Sequence, residues 1–233
     1  MRKLLPGFAF LLATALLAAQ PPALPQEQRP QPFDPAALPA HDEHQGLLIA
    51  VSPDTQDASK AKFGKNNPFD RGVLGLQVYF KNESAAPIRI NLSTVRLLIG
   101  RPGSEVPRQN LDPLRPDEVA DRVLGTPSKD PTLRRSPVPR VPTGKPNRSK
   151  EWNELDSLVR SAILSTDVLP PQTTTRGYFF FDLDYKFDYL SNARLEIPDL
   201  SFMLDNKALF FFEIDLAPAA QSVVLPSAPQ PAR

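Results

Sequence analysis

Proline limits where this chain can build regular structure. Of its 28 prolines, seven fall in Pro21–Pro39, ten in Pro102–Pro146 and four in Pro218–Pro231. Proline has no backbone donor and fixes φ, so none of these stretches reads as the interior of an ordinary helix or sheet. Setting them aside leaves roughly 120 to 140 of the residues for a packed core, a size at which burial offsets chain entropy without crosslinks. One domain is therefore expected over residues 46–217, carrying an insert at 101–168. A proline-rich spacer at 20–45 precedes it, and a disordered tail at 218–233 follows.

The first residues, MRKLLPGFAFLLATALLAA, set Arg2 and Lys3 before an apolar run that ends in small residues. That is the pattern of a secretory signal peptide over 1–19, and it implies a periplasmic or secreted protein. Leu17 stands where a small residue would favour cleavage after Ala19, so an uncleaved anchor remains open. Leu4–Ala19 is nevertheless short for a ~30 Å hydrocarbon core. The membrane enters the expectation only through that segment. The chain has no cysteine, which excludes disulfides and a lipidated N-terminal cysteine. Loss of Arg2 and Lys3 with the leader turns a formal net charge of +1 into −1. A near-neutral body has no field to gather nucleic acid or anionic lipid.

Strand patterns dominate the remainder. GLLIAVSP at Gly46–Pro53 is a short apolar run between turn residues. In GVLGLQVYFKNES, Leu76, Val78 and Phe80 alternate with Gln77, Tyr79 and Lys81, the mark of a half-buried antiparallel strand. PIRINLSTVRLLIG continues with Ile88, Ile90 and Leu92, then Val95, Leu97 and Ile99. Late in the chain, ARLEIPDLSFMLDNKALFFFEIDLAP reads as two strands joined by a tight turn near Asp205 and Asn206. Pro198 should break the first of these and place it at a sheet edge. Within the insert, RPDEVADRVL has Pro116 at a helix start and acids in the first turn. SKEWNELDSLVRSAIL sets Trp152, Leu155, Leu158, Val159, Ala162 and Ile163 at three-four spacing behind a Ser149 N-cap. The fold class expected is mainly β: an immunoglobulin-like antiparallel β-sandwich of about seven strands with an inserted helical segment.

The run Gly177–Tyr185 puts Phe179, Phe181, Leu183 and Tyr185 on one strand face and Tyr178, Phe180, Asp182 and Asp184 on the other. Leu209–Leu216 repeats the situation, with Leu209 and Phe211 opposite Phe210 and Phe212. One face of each strand lines a core, and water is a poor neighbour for Tyr178, Phe180, Leu209 and Phe211 if those strands adjoin. Either the Trp152 helix covers that patch, or a partner protein or second copy does. Tyr178, Phe180 and Phe211 are thus candidate partner-binding residues.

A strand introduced by LPPQTTTRG and continuing YFFFDL, after LGLQVYFKNESAAPIRI, resembles the exported immunoglobulin-like domains of uncharacterised bacterial cell-envelope proteins. The resemblance covers roughly residues 46–99 and 169–216 and implies an extracytoplasmic binding role rather than catalysis. The helical insert departs from the minimal pattern of such domains.

Candidate chemistry is sparse. HDEH holds the only two histidines, and His41 and His44 with acids between them are possible zinc or copper ligands, set against an exposed polar linker. Asp182 and Asp184, about 6 to 7 Å apart on a strand face, offer oxygen ligands with Asp188, but without a calcium-loop pattern. Solvent-facing acids that discourage edge pairing are the plainer reading. From Arg134 to Lys150 six basic residues occur without an acid, so Arg134 and Arg135 are candidate contacts for an anionic envelope polymer or acidic partner. Aromatic residues able to stack on single-stranded nucleic acid are absent from that stretch. No nucleophile motif or phosphate loop occurs, and no cofactor is expected. The expected function is a non-enzymatic binding or structural module of the envelope. The alternatives are an assembly subunit docking through an aromatic strand face, and a metal-dependent enzyme or sensor.

Overall fold

The computed structural model describes residues 33–101, 109–125, 148–209, 211–221 and 223. The signal peptide, the first half of the spacer, Arg134 and Arg135 lie outside them. Contacts divide the chain into Met1–Phe33 and Asp34–Arg233, and everything below concerns the second unit, which starts well before the expected boundary at 46.

The protein is mainly β, with eleven strands among the described residues, arranged in three antiparallel sheets, and a few short helices. In chain order the strands are β1 (Ala40–His44), β2 (Leu47–Pro53), β3 (Val73–Asn82), β4 (Ile88–Ile90), β5 (Arg96–Ile99) and β6 (Gln109–Leu111). They continue as β7 (Val168–Leu169), β8 (Thr173–Asp182), β9 (Arg194–Ile197), β10 (Leu200–Phe202) and β11 (Phe212–Asp215). The sheets run β1-β2-β3-β8, β10-β4-β7 and β11-β9-β5-β6. Helices are α1 (Gln56–Phe63), α2 (Pro116–Leu124), α3 (Lys150–Ala162) and α4 (Ala217–Ala220).

The first sheet is buried on both faces. From β2, β3 and β8, the side chains of Ile49, Val51, Leu76, Val78, Phe80, Phe179 and Phe181 join Ile88, Leu97, Leu195, Ile197, Phe212 and Ile214 of the other two sheets in one core. On its opposite face Val73, Tyr178 and Phe180 pack with Phe63 of α1, Val119, Ala120 and Val123 of α2, and Trp152, Leu155 and Val159 of α3. The helix around Trp152 therefore covers the aromatic strand face, as the first of the two expected coverings has it. Tyr178 and Phe180 are buried beneath it, so neither ring is exposed to a partner as expected. Nor do they adjoin Leu209 and Phe211, because β11 lies beside β9 in another sheet.

Local sequence explains the helical layer. Ser149 Oγ accepts from Trp152 N at 3.1 Å, the expected cap, and Pro116 opens α2. Trp152 Nε1 donates to Asp121 Oδ1 at 2.7 Å and ties the two helices together. Beyond α3 the chain crosses the edge of β8, where Leu164 N donates to Tyr178 O at 3.2 Å. Only glycine permits that approach: a Cβ on Gly177 would stand 2.5 Å from Leu164 Cα.

Several expectations are corrected. HDEH is no linker, because it forms β1, joined to β2 through Gln45 and Gly46, both at positive φ as a two-residue hairpin requires. The tail expected to be disordered begins with α4, whose Ala219 and Ala220 are buried, as is Val223. Pro198 does end β9, but β9 is interior to its sheet, and the chain after Pro198 passes to β10 in a different one. The turn near Asp205 and Asn206 exists, with Phe202 N donating to Lys207 O at 2.9 Å.

Gly177→Ala is expected to lower stability by about 3 kcal/mol, since neither Leu164 nor the strand can yield without losing hydrogen bonds. Urea denaturation measures it.

Candidate functional site

Three features present chemistry that the core does not absorb. The first lies where β2 ends and α1 begins. Asp54 N donates to Gly75 O at 2.8 Å, which holds the Asp54 side chain over β3, where Gly75 leaves room for it: a Cβ there would be 3.2 Å from Asp54 Oδ2. Thr55 then caps α1, its hydroxyl accepting from Ala58 N at 3.2 Å. Two turns on, Lys62 reaches back so that Nζ lies 3.4 Å from Asp54 Oδ2 and donates to the Tyr178 hydroxyl. The same ammonium sits 3.8 Å from the Tyr178 ring centroid. Tyr178 donates in turn to Asp54 Oδ1 at 3.3 Å.

Asp54 is 7 % exposed. Burial raises its carboxyl above the ordinary value of 3.8, and Lys62 and the Tyr178 hydroxyl only partly offset that. Tyr178 is pushed up as well, first by burial and then by the Asp54 charge, so its phenol stays protonated. The arrangement is a closed charge-and-hydroxyl cluster that docks α1 on the sheet. Its acid, base and phenol already satisfy one another.

The second feature is a groove of about 460 Å³ beside the edge of β8, lined chiefly by Leu92, Leu114, Ile163, Leu164 and Phe179, with Asp112 and Arg115 contributing charge. Both charges are engaged: Asp112 lies 3.6 Å from Arg96, and Arg115 lies 3.0 Å from Glu118. Size and lining suit a small, largely apolar molecule.

The third is a set of large apolar side chains left in water. Leu204 is 79 % exposed at the tip of the β10 hairpin, Tyr185 58 % in the turn after β8, and Phe211 55 % just before β11. Of the three aromatics expected to contact a partner, Phe211 is the exposed one.

The expected metal ligands separate into two unrelated places. His41 and His44 are three apart on a strand, so they point to opposite faces. His41 Nδ1 bonds Leu38 O at 2.6 Å, and His44 stacks on Phe212 with ring centroids 3.7 Å apart. Asp182 and Asp184 do converge, but on a side chain: Arg122 of α2 lies 3.2 Å from the first and 3.1 Å from the second. Among the described residues, no group of three or more histidine, cysteine or acidic residues is placed to hold a metal ion.

Sequence reading missed Asp54, Lys62 and α1 itself. The one available signal was Thr55 ahead of the segment with Gly64 behind it, a cap and a stop. No protein-family model, curated protein or solved structure matches the chain.

Because the folded carboxyl of Asp54 titrates above the unfolded one, the folded chain binds more protons in the window from 3.8 upward. Stability from this group is therefore lost as pH rises through that window. Removing the titration with Asp54→Asn should make the urea midpoint of the variant rise relative to wild type between about pH 4 and about pH 7. A difference constant with pH would contradict the assignment.

Proposed function

We propose that the protein is a non-enzymatic binding module of the bacterial cell envelope, exported by its N-terminal segment and built as an immunoglobulin-like sandwich elaborated by a helical layer. Leu76, Val78, Phe80, Phe179 and Phe181 on one face of these strands pack with side chains of the other two sheets, which supports the sandwich. The observation that carries the binding role is Phe211. Its neighbours Leu209 and Phe212 are buried, yet Phe211 stands in water on the side that Glu213 and Asp215 share, away from the core. Aromatic side chains are enriched at the centres of protein contacts. The partner expected on this reading is another envelope protein or a second copy of the chain.

In-cell crosslinking followed by mass spectrometry should capture that partner, and Phe211→Asp should reduce the crosslinked species by about thirtyfold, a hot-spot effect, with an unchanged melting temperature. An undiminished crosslink from a folded variant overturns the assignment of Phe211.

A further inference from the structure

Between β2 and β3 the chain makes a long excursion that returns to where it left. Pro53 pairs with Leu76, Asp54 N donates to Gly75 O at 2.8 Å, and Val73 N donates to Pro68 O at 3.1 Å, so both ends are pinned to one pair of strands. The returning end is held firmly, because Phe69 is buried in the core and stacks on Phe187 with ring centroids 4.0 Å apart. Residues 55–67 lie between these anchors and carry α1 and the 3-10 turn Gly64–Asn66. A segment whose ends are joined in this way can move without breaking either strand.

Little apolar surface holds it down. From Thr55 to Asn66 only Ser59 and Phe63 are buried, and Phe63 meets Phe180 edge to face with ring centroids 5.8 Å apart. The ties from Lys65 to Glu151 and from Gln56 to Asp70 are exposed, where such pairs contribute little. Two polar groups resist closure. Asn67 is 2 % exposed, and although its Oδ1 accepts from Phe69 N at 3.1 Å, its Nδ2 has no partner among the described residues. A buried donor left unpaired is costly. The second is Asp54, whose backbone stays on β3 while α1 closes over its carboxyl.

The groups facing that carboxyl come from three elements. Lys62 of α1 is the one cation in contact with it, Tyr178 of β8 donates to it, and Tyr79 of β3 feels its charge, with Arg176 of β8 acting on both tyrosines. Both phenols are pushed up and stay protonated, so only Lys62 opposes the cost of burying the charge. Burial outweighs it and holds the closed carboxyl above 3.8, whereas a lifted α1 returns the carboxyl to water and to its ordinary value. The closed form therefore binds more protons from 3.8 upward, and a rise in pH through that window favours the lifted one. We propose that residues 55–67 form a pH-sensitive strap, held down while Asp54 is protonated and lifting more readily as a unit once Asp54 is ionised, which uncovers Tyr178 and Phe180 on the α1 side. The inference stands apart from Phe211 and from the binding role.

Amide hydrogen exchange of the full-length chain, read by mass spectrometry and corrected for intrinsic rates, tests it. Protection of Gln56–Phe63 is expressed relative to that of β3, which removes any change in global stability. In wild type that ratio should lie below one and fall at least about threefold between about pH 4 and about pH 7. Asp54→Asn should make it independent of pH. Lys62→Met, which removes the one opposing charge, should steepen its fall, and Phe63→Ala should lower it at every pH. Equal protection of α1 and β3, a ratio constant with pH in wild type, or a pH dependence that persists in Asp54→Asn each overturns the proposal. If Asp54→Asn does not fold, Lys62→Met decides: an unchanged slope overturns the proposal and a steeper one supports it.

Discussion

Burial of β8 from both sides is the constraint from which the rest of the structure follows. Tyr178 and Phe180 project from one face, Phe179 and Phe181 from the other, and each is almost fully buried. Full burial of one such ring contributes about 1.5 to 3 kcal/mol, so no arrangement that leaves either face wet competes with one that covers both. Two sheets cover the first face. The second needs a further layer, and the residues between β6 and β7 supply it as α2 and α3, with α1 beside them.

Adding a layer creates polar obligations. The chain must leave β2 and turn into α1 at Asp54, in a place too dry for a lone carboxylate, and Lys62 and Tyr178 answer that charge from one side. Removing one partner of such a cluster costs more than the intact cluster contributes, so it specifies how α1 sits rather than adding much stability. Arg122 works similarly from α2. Its helix is anchored through Val119, Ala120 and Val123, and its guanidinium braces the turn that carries Tyr185. The layer that covers the aromatic face thus also holds a turn with two consecutive non-glycine residues at positive φ.

What could be read early was whatever repeats within a short window. The core side of Leu76, Val78 and Phe80, the Trp152, Leu155 and Val159 positions of α3 and the Ser149 cap survive in three dimensions because each depends on neighbours a few residues away, whereas Tyr79, expected on a wet face, is buried and Leu158, expected in the stripe, is exposed. The candidate sites were much less legible. HDEH looked like linker because β1 earns its place only by pairing with β2, and its histidines are occupied by Leu38 and Phe212. Asp182 and Asp184 were recognisable as a pair, but Arg122, the cation between them, lies far along the chain and nothing local announces it. Asp54 and Lys62 were invisible for the same reason, since Tyr178 closes their cluster from a remote strand.

The amino-acid sequence by itself determined that this chain is mostly strand, that its prolines confine regular structure, and that one segment carries more aromatic surface than a single sheet face can bury. Those properties are local sums over composition and period. Only the tertiary structure decided what covers that surface, which charges neutralise one another, and which aromatic rings stay in water. Each of these depends on which distant segments become neighbours, and pairing between remote strands leaves no trace in the spacing of either one.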